Sequence, residues 1–303
     1  MQSLKAMRKC IKCKGPTEIF IPHHRLSLCN EHYIEWYQKR VDTTIKEFKM
    51  FSKEDRILVA VSGGKDSLAL WHALVSLGYE ANGFIIDLGF GQYSEDSLNV
   101  SKKLAETLNR PLHILNLNKE FYSIEEIKKK DRRPICSLCG TVKRYFINLY
   151  AKKLGYQIVT TGHNLDDEVA VLLVNTLSWN LEYLRRQYPV LKEGNGFVRK
   201  VKPLCKTTEM ENRIYVEVNG IEYVEYKCPY SKGATSLEYK KFIEDLEKTS
   251  PGTKLRFYSE FLRKIYPLLQ VVEDQGVKPC KICGEPTSGE VCAVCSIKQK
   301  MSH

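Results

Sequence analysis

The sequence predicts an α/β protein built on a parallel sheet, with a small metal-stabilised ribbon at each end. Three observations carry this. Four short, β-branched apolar runs alternate with amphipathic stretches, a glycine-rich turn directly follows the first run, and cysteine pairs gather at both termini. The runs are ILVAV at 57–61, GFIIDL at 83–88, LHILNL at 112–117 and QIVTT at 157–161. Strands this apolar are covered on both faces, and such sheets bind ligands in the loops beyond their carboxyl ends. Function is therefore expected just after these runs.

In chain order, residues 1–35 read as the first ribbon, rich in cysteine, histidine and basic side chains. Residues 36–55 read as a linking helix, and Tyr33, Trp36, Tyr37, Val41 and Ile45 across Asn30–Phe51 recur at helical spacing. Residues 56–205 form the nucleotide-binding core. Residues 206–275 are a helical extension, with helices over Thr207–Val218, Ser236–Lys248 and Phe257–Leu269. Residues 276–303 make the second ribbon, Lys278–Ser296. KKKDRR at 128–133 reads as a solvated loop or an RNA contact.

The chain has 303 residues, 43% hydrophobic and 27% charged, which excludes disorder as its main state. It holds no run of about 18 apolar residues, and MQSLKAMRKC lacks a following apolar segment, so neither a membrane span nor a secretory signal is expected. A cytoplasmic location follows. With 47 basic and 36 acidic side chains the net charge is +11, which suits a polyanionic partner such as nucleic acid or simply a lysine-rich solvated surface. Eleven cysteines in a reducing compartment point to metals rather than disulfides.

ILVAV runs into Ser62-Gly63-Gly64-Lys65-Asp66-Ser67 and then into the helical LALWHALVSLG. Glycines let backbone amides approach phosphate oxygens, the two serines and the helix N-terminus add donors, and Lys65 adds charge. The glycine spacing is too short for a Walker A loop. After QIVTT comes a second loop, Gly162-His163-Asn164-Leu165-Asp166-Asp167-Glu168. Its aspartates, with Asp66, suggest Mg²⁺ beside phosphates; they also suit capping of the helix that follows. Ala60, Val61 and Ile86 would then lie beside adenine and ribose. The string AVSGGKDSLAL resembles the pyrophosphate-binding loop of the PP-loop ATPases, an adenine nucleotide α-hydrolase-like fold. The resemblance implies cleavage of ATP between its α and β phosphates and transfer of adenylate to a substrate oxygen.

Cys136 and Cys139 in RRPICSLCG have no second close pair nearby to finish a tetrahedral site. They suit a redox pair, two metal ligands or two buried thiols. Cys228 in EYKCPYS is a third candidate, and three thiolates on a 4Fe-4S cluster would leave one iron open, unlike the usual four-cysteine arrangement. The spacing and surroundings resemble the cluster-dependent tRNA 2-thiouridine synthetases, and with CNEHY, the basic middle and both terminal ribbons the likeness spans essentially the whole chain. That resemblance implies Cys136, Cys139 and Cys228 as cluster ligands, Lys143 as a catalytic lysine, and Asp167 as the acidic residue of GHNLDD. Cys205 falls outside it and reads as a small buried hydrophobe or a persulfide carrier.

At the start, Cys10, Cys13, Cys29 and His32 form a three-thiolate, one-imidazole set; His32 is preferred over His23 and His24 because its spacing from Cys29 mirrors a cysteine pair. At the end, Cys280, Cys283, Cys292 and Cys295 form a four-thiolate set. Both suit structural Zn²⁺. The first fifty positions carry ten basic and five acidic residues, a plausible RNA-docking surface.

The expected activity is adenylation of the C2 oxygen of a tRNA uridine, at wobble position 34 or T-loop position 54, followed by its replacement with sulfur. Lys143, Asp66 and Asp167 would act in catalysis. The sulfur donor is sulfide, a persulfide or the thiocarboxylate of a ubiquitin-like carrier protein, and family resemblance implies a homodimer. Two other readings stand beside this one: another adenylating tRNA modifier, of 2-thiocytidine or lysidine type, and a non-catalytic zinc-ribbon RNA-binding protein whose loop only senses ATP.

Overall fold

The computed structural model describes residues 8–231, 235–270 and 276–302. Its centre is a six-stranded sheet: β1 (Arg56–Val61), β2 (Glu80–Asp87), β3 (Leu112–Asn116), β4 (Ile158–Thr161), β5 (Val190–Leu191) and β6 (Arg199–Val201). The spatial order is β3-β2-β1-β4-β6-β5. All neighbours are parallel except β5, which runs antiparallel to β6. The order reverses between β1 and β4, and both main loops lie there, at the carboxyl ends where open α/β sheets take ligands.

The α-helices of seven residues or more are α1 (Asn30–Glu47), α2 (Lys65–Ser76), α3 (Gln92–Leu108), α4 (Ile124–Lys130), α5 (Ile135–Lys153), α6 (Leu165–Leu177), α7 (Glu209–Val218), α8 (Thr235–Thr249), α9 (Thr253–Glu260) and α10 (Ala293–Ser302). Strand alternation sends Ile57, Val59 and Val61 into one apolar layer with Leu68 and Trp71, and Leu58 into the other with Phe84, Val142 and Phe146. Trp71 is fully buried and its indole N–H donates to the Ala81 carbonyl at 3.0 Å, which satisfies its only polar atom.

The structure differs from the sequence expectation in several places. The sheet gains β5 and β6, pieces of two and three residues that lie below the length at which alternation can be read. Helix α1 begins at Asn30, inside the first module, so His32 sits in its first turn and Cys29 precedes it as N-cap. The second ribbon consists of two paired two-residue strands and then turns into α10. The stretch 128–133 is not a wholly solvated loop. Asp131 is buried, accepts from the Arg133 amide and guanidinium at 3.0 Å, and takes Lys300 of α10 at 3.0 Å, so it docks the last helix against the start of α5. The Phe257–Leu269 helix starts earlier, at Thr253, and loosens into a π-helical turn over Phe261–Ile265. Residues 1–7 of the first ribbon, 271–275 at the end of the helical extension, and His303 lie outside the described residues.

Candidate active site and metal centres

Between β1 and α2, the turn Ser62–Gly64 places the first amides of α2 at the sheet's carboxyl edge, where the N-terminal N–H groups of a helix have no partner of their own. The Ser62 amide donates to Ser67 Oγ at 3.1 Å, and that hydroxyl donates to the Gly64 carbonyl at 3.0 Å, so the loop is braced from within. Gly63 has φ of +74°, and a Cβ there would stand 2.6 Å from Ser97 Cα. Only glycine fits. Gly162 of the second loop is needed for close approach instead, since its Cβ would lie 2.7 Å from the Ser67 amide nitrogen. The two loops therefore meet backbone to backbone. Val61 is buried at the strand end, and Ala60 and Ile86 are half-buried beside it.

The charged groups form one network. Lys65 Nζ lies 2.8 Å from Glu209 and 3.2 Å from Asp66. Asp66 Oδ1 accepts from the side-chain amides of Asn164 at 3.1 Å and Asn212 at 2.8 Å. Burial raises the Asp66 carboxyl above its ordinary value, against the pull of Lys65 and Asn212. Asn164 and Asp167 make reciprocal cap bonds at the start of α6. Asp167 also takes Lys240 at 2.5 Å; burial opposes its charge, but Lys240 and His163 hold its pKa below the usual range. Asp166 receives Lys254 at 2.5 Å and the Glu209 amide at 2.8 Å. Burial lowers the His163 pKa, and its Nδ1 lies 2.8 Å from Thr161 Oγ1.

All six oxygens of Asp66, Asp166 and Asp167 thus face N–H donors rather than an open ion position. The Mg²⁺ expected at these aspartates does not fit this arrangement, because an ion would have to displace Lys240 or Lys254. Lys240, Lys254, Glu209 and Asn212 were not marked by sequence: they come from α7, α8 and α9, which carry no motif. The one signal available was the capping box of Thr208 and Glu211.

Cys136 lies in the first turn of α5, Cys139 one turn on, and Lys143 one turn further along the same face. Cys136 is exposed, with its thiol 3.2 Å from the Tyr230 carbonyl. Cys139 and Cys228 are half-buried. Burial pushes the Cys139 thiol up, Lys143 draws it down, and the nearby Cys228 and Cys136 push it up again. Lys143 has no carboxylate partner among the described residues. The three thiols are not drawn within the 4.8 Å that spans each terminal set, as suits a four-iron cube, which is wider than a single ion. The segment bearing Cys228 is tied to the phosphate loop: the Val224 amide donates to the Gly63 carbonyl at 2.9 Å. Cys205 is fully buried and its thiol is pushed up by burial, as for a small hydrophobe.

The terminal sets are closed cages. In the first, His32 Nδ1 stands 3.1 Å from Cys29 Sγ and 3.4 Å from Cys10 Sγ, and Cys13 and Cys29 are 3.8 Å apart. In the second, Cys283 and Cys292 are 3.7 Å apart. Tetrahedral Zn–S bonds of about 2.3 Å put sulfurs about 3.8 Å apart, so both cages fit zinc. Burial pushes the Cys10 and Cys280 thiols up, but neighbouring backbone amides outweigh it and bring each to about 6. His23 and His24 turn elsewhere, towards Glu211. A cleft of about 470 Å³ by Tyr156 and Arg199 lies at the opposite, amino ends of β4 and β6.

A strand, an SGGKDS turn and a helix at the carboxyl edge of a parallel sheet define a PP-loop nucleotide-binding enzyme, and residues 35–230 match the family model of the PP-loop domain. Residues 9–34 match the N-terminal LIM domain of 2-thiouridine synthetase TtuA. The chain is 44% identical to the tRNA-5-methyluridine(54) 2-sulfurtransferase of Thermotoga maritima over 97% of each chain. It is 43% identical to the Thermus thermophilus protein of the same name, over 94% of this chain and 89% of that one. Among solved structures, the U34-tRNA thiolase NcsA from Methanococcus maripaludis with its 4Fe-4S cluster superposes with a TM-score of 0.80 at 27% identity, covering 96% and 95% of the two chains. The chain belongs to the tRNA-thiolating branch of the PP-loop family and is a tRNA sulfurtransferase. No helix among the described residues is long and apolar enough to cross a membrane.

Proposed function

We propose that this sulfurtransferase converts uridine 54 of the tRNA T loop to its 2-thio form in the cytoplasm, at the cost of one ATP cleaved to AMP and pyrophosphate. The observation that carries the reading is the Gly63–Val224 hydrogen bond, which fastens the segment of Cys228 to the phosphate loop. The amides and hydroxyls of Ser62–Ser67 hold the leaving pyrophosphate. The C2 oxygen of the base attacks the α phosphorus and pyrophosphate departs; a sulfur nucleophile then bonds to C2, the C2–O bond breaks, and the oxygen leaves on AMP. Asp66 and Asp167 hold Lys65 and Lys240 at the phosphate end. Lys143, one turn from Cys139 and without a carboxylate partner among the described residues, stabilises negative charge developing at the leaving oxygen or the sulfur. Cys136, Cys139 and Cys228 would hold a 4Fe-4S cluster, which supplies an iron without a protein ligand, open to sulfur. The two cages would hold structural zinc. The donor is sulfide, a persulfide or a carrier thiocarboxylate, and the base reaches the site unstacked from its loop.

Position 54 is favoured by the 42–44% identical relatives whose names specify it. The test incubates oxygen-free enzyme with ATP, sulfide and tRNA, then maps sulfur by mass spectrometry of T-loop and anticodon fragments. Sulfur at 54, with AMP and pyrophosphate in equal amounts, is the expected result. Sulfur at 34 would move the assignment to the reading that the NcsA likeness supports. Absence of tRNA-dependent pyrophosphate release would remove the adenylation step.

A further inference from the structure

We propose that His23, His24 and Glu211 form a third metal site, for a divalent ion of zinc type, distinct from both cysteine cages and from the phosphate loop. The histidines follow one another in the single turn Pro22–His24 of the N-terminal module, and Glu211 lies in the first turn of α7. One ligand atom from each falls within 4.8 Å of the others. Nε2 of His23 is 3.0 Å, and Nε2 of His24 3.5 Å, from the same carboxylate oxygen, Glu211 Oε1. Tetrahedral zinc with bonds of about 2.0–2.1 Å to nitrogen and oxygen separates such ligands by about 3.3 Å, and the two observed distances bracket that figure.

The alternative occupant of this arrangement is a proton. An imidazolium at His23 would by itself satisfy Glu211 Oε1, and Arg40 adds favourable charge nearby. Neither accounts for the second imidazole. His24 Nε2 is buried and faces the same oxygen only at 3.5 Å, a contact too long and poorly directed for a full hydrogen bond, though it helps hold the carboxyl down. Burying a polar atom with so weak a partner is unfavourable, and an ion between the three atoms would engage it fully. The other oxygen, Oε2, is already committed to the Thr208 amide at 2.6 Å, which leaves Oε1 alone to face the imidazoles. Glu211 is fully buried, so the carboxylate is no casual surface charge. Two imidazoles and one carboxylate are a donor set for borderline ions such as Zn²⁺.

The site would staple the N-terminal module to α7, the helix whose Glu209 and Asn212 hold Lys65 and Asp66. Zinc there would set the pose of the phosphate-loop network from outside it. The experiment equilibrates the full-length, cluster-bearing protein with Zn²⁺, removes free metal, and counts zinc per chain. Crystals of the same material are measured at the zinc edge. With both cages filled, about three zinc per chain are expected, with an anomalous peak between His23, His24 and Glu211. His24→Gln should lower the count by about one and abolish that peak while both cage peaks remain. A wild-type map with peaks at the two cages and none among these three residues overturns the proposal, as does any additional zinc seated elsewhere. The wild-type map decides the matter even if a variant fails to fold, and it is independent of which uridine the enzyme modifies.

Discussion

The terminal cages and the central cysteines use the same side chain for opposite ends. In the cages, four ligand atoms close within 4.8 Å; backbone amides draw the Cys10 and Cys280 thiols down to about 6, while burial pushes Cys292 and Cys295 up, and one thiol of each cage, Cys13 or Cys283, is exposed. A tetrahedral ion held there would have all four positions filled by the protein, leaving none for a substrate. What sets the central three apart is that they are spread between α5 and a separate segment, beyond the 4.8 Å of the cages, and that Lys143, one turn from Cys139, has no carboxylate partner among the described residues. Four ligands closed on one ion suit structure, whereas three thiols beside a lysine suit chemistry.

This contrast can be broken by substitution. The largest effect is expected from Cys228→Ser: thiolation should fall more than about 100-fold while tRNA-dependent pyrophosphate release persists, since adenylation does not use the thiols. Thiolation near the wild-type rate in this variant would end the distinction between the two kinds of cysteine. Asp66→Ala should do the reverse, lowering pyrophosphate release by about 10²–10³-fold, the usual loss when one preorganised electrostatic group is removed; iron and sulfide content should stay unchanged. Cys283→Ser should act on folding. Removing one cage ligand ought to cost several kcal/mol, and each kcal/mol lowers the melting temperature by about 2–4 °C in a chain of this size. A cage variant that melts like the wild type yet cannot thiolate would overturn the structural assignment.

The smallest effect concerns Lys200 of β6. Burial lowers its pKa to about 8, with Arg144 and Lys202 pushing the same way, and it has no carboxylate partner among the described residues. It is charged below that pH and neutral above it. A tRNA phosphate resting on Lys200 would lose attraction as pH rises through about 8, by less than about tenfold in affinity, and Lys200→Arg would flatten the profile, because a guanidinium stays protonated. Equal pH slopes for the two proteins would take Lys200 out of the interface.

What the sequence revealed followed the range of each signal. ILVAV-SGGKDS is local: a strand, a turn that needs glycine and a helix start lie within eleven residues, so composition alone exposes them. The cages were legible for the same reason. The network around Asp66 is not local. Asn212 and Glu209 lie more than a hundred positions away, and Lys240 and Lys254 sit on helices whose patterns resemble any amphipathic surface helix. The expectation of magnesium was drawn without these partners, because sequence shows the aspartates but not the lysines that face them. Strands β5 and β6 escaped because two or three residues cannot show a period, and Lys200 lies within the second of them.

The Val224–Gly63 hydrogen bond has a mechanical consequence. One peptide unit of the phosphate loop acts as a splint for the segment that delivers the third thiol, so the two halves of the reaction share a single frame of reference. In the proposed reaction, the spacing between the activated carbon and the incoming sulfur would then be referenced to the main chain rather than to pliable side chains.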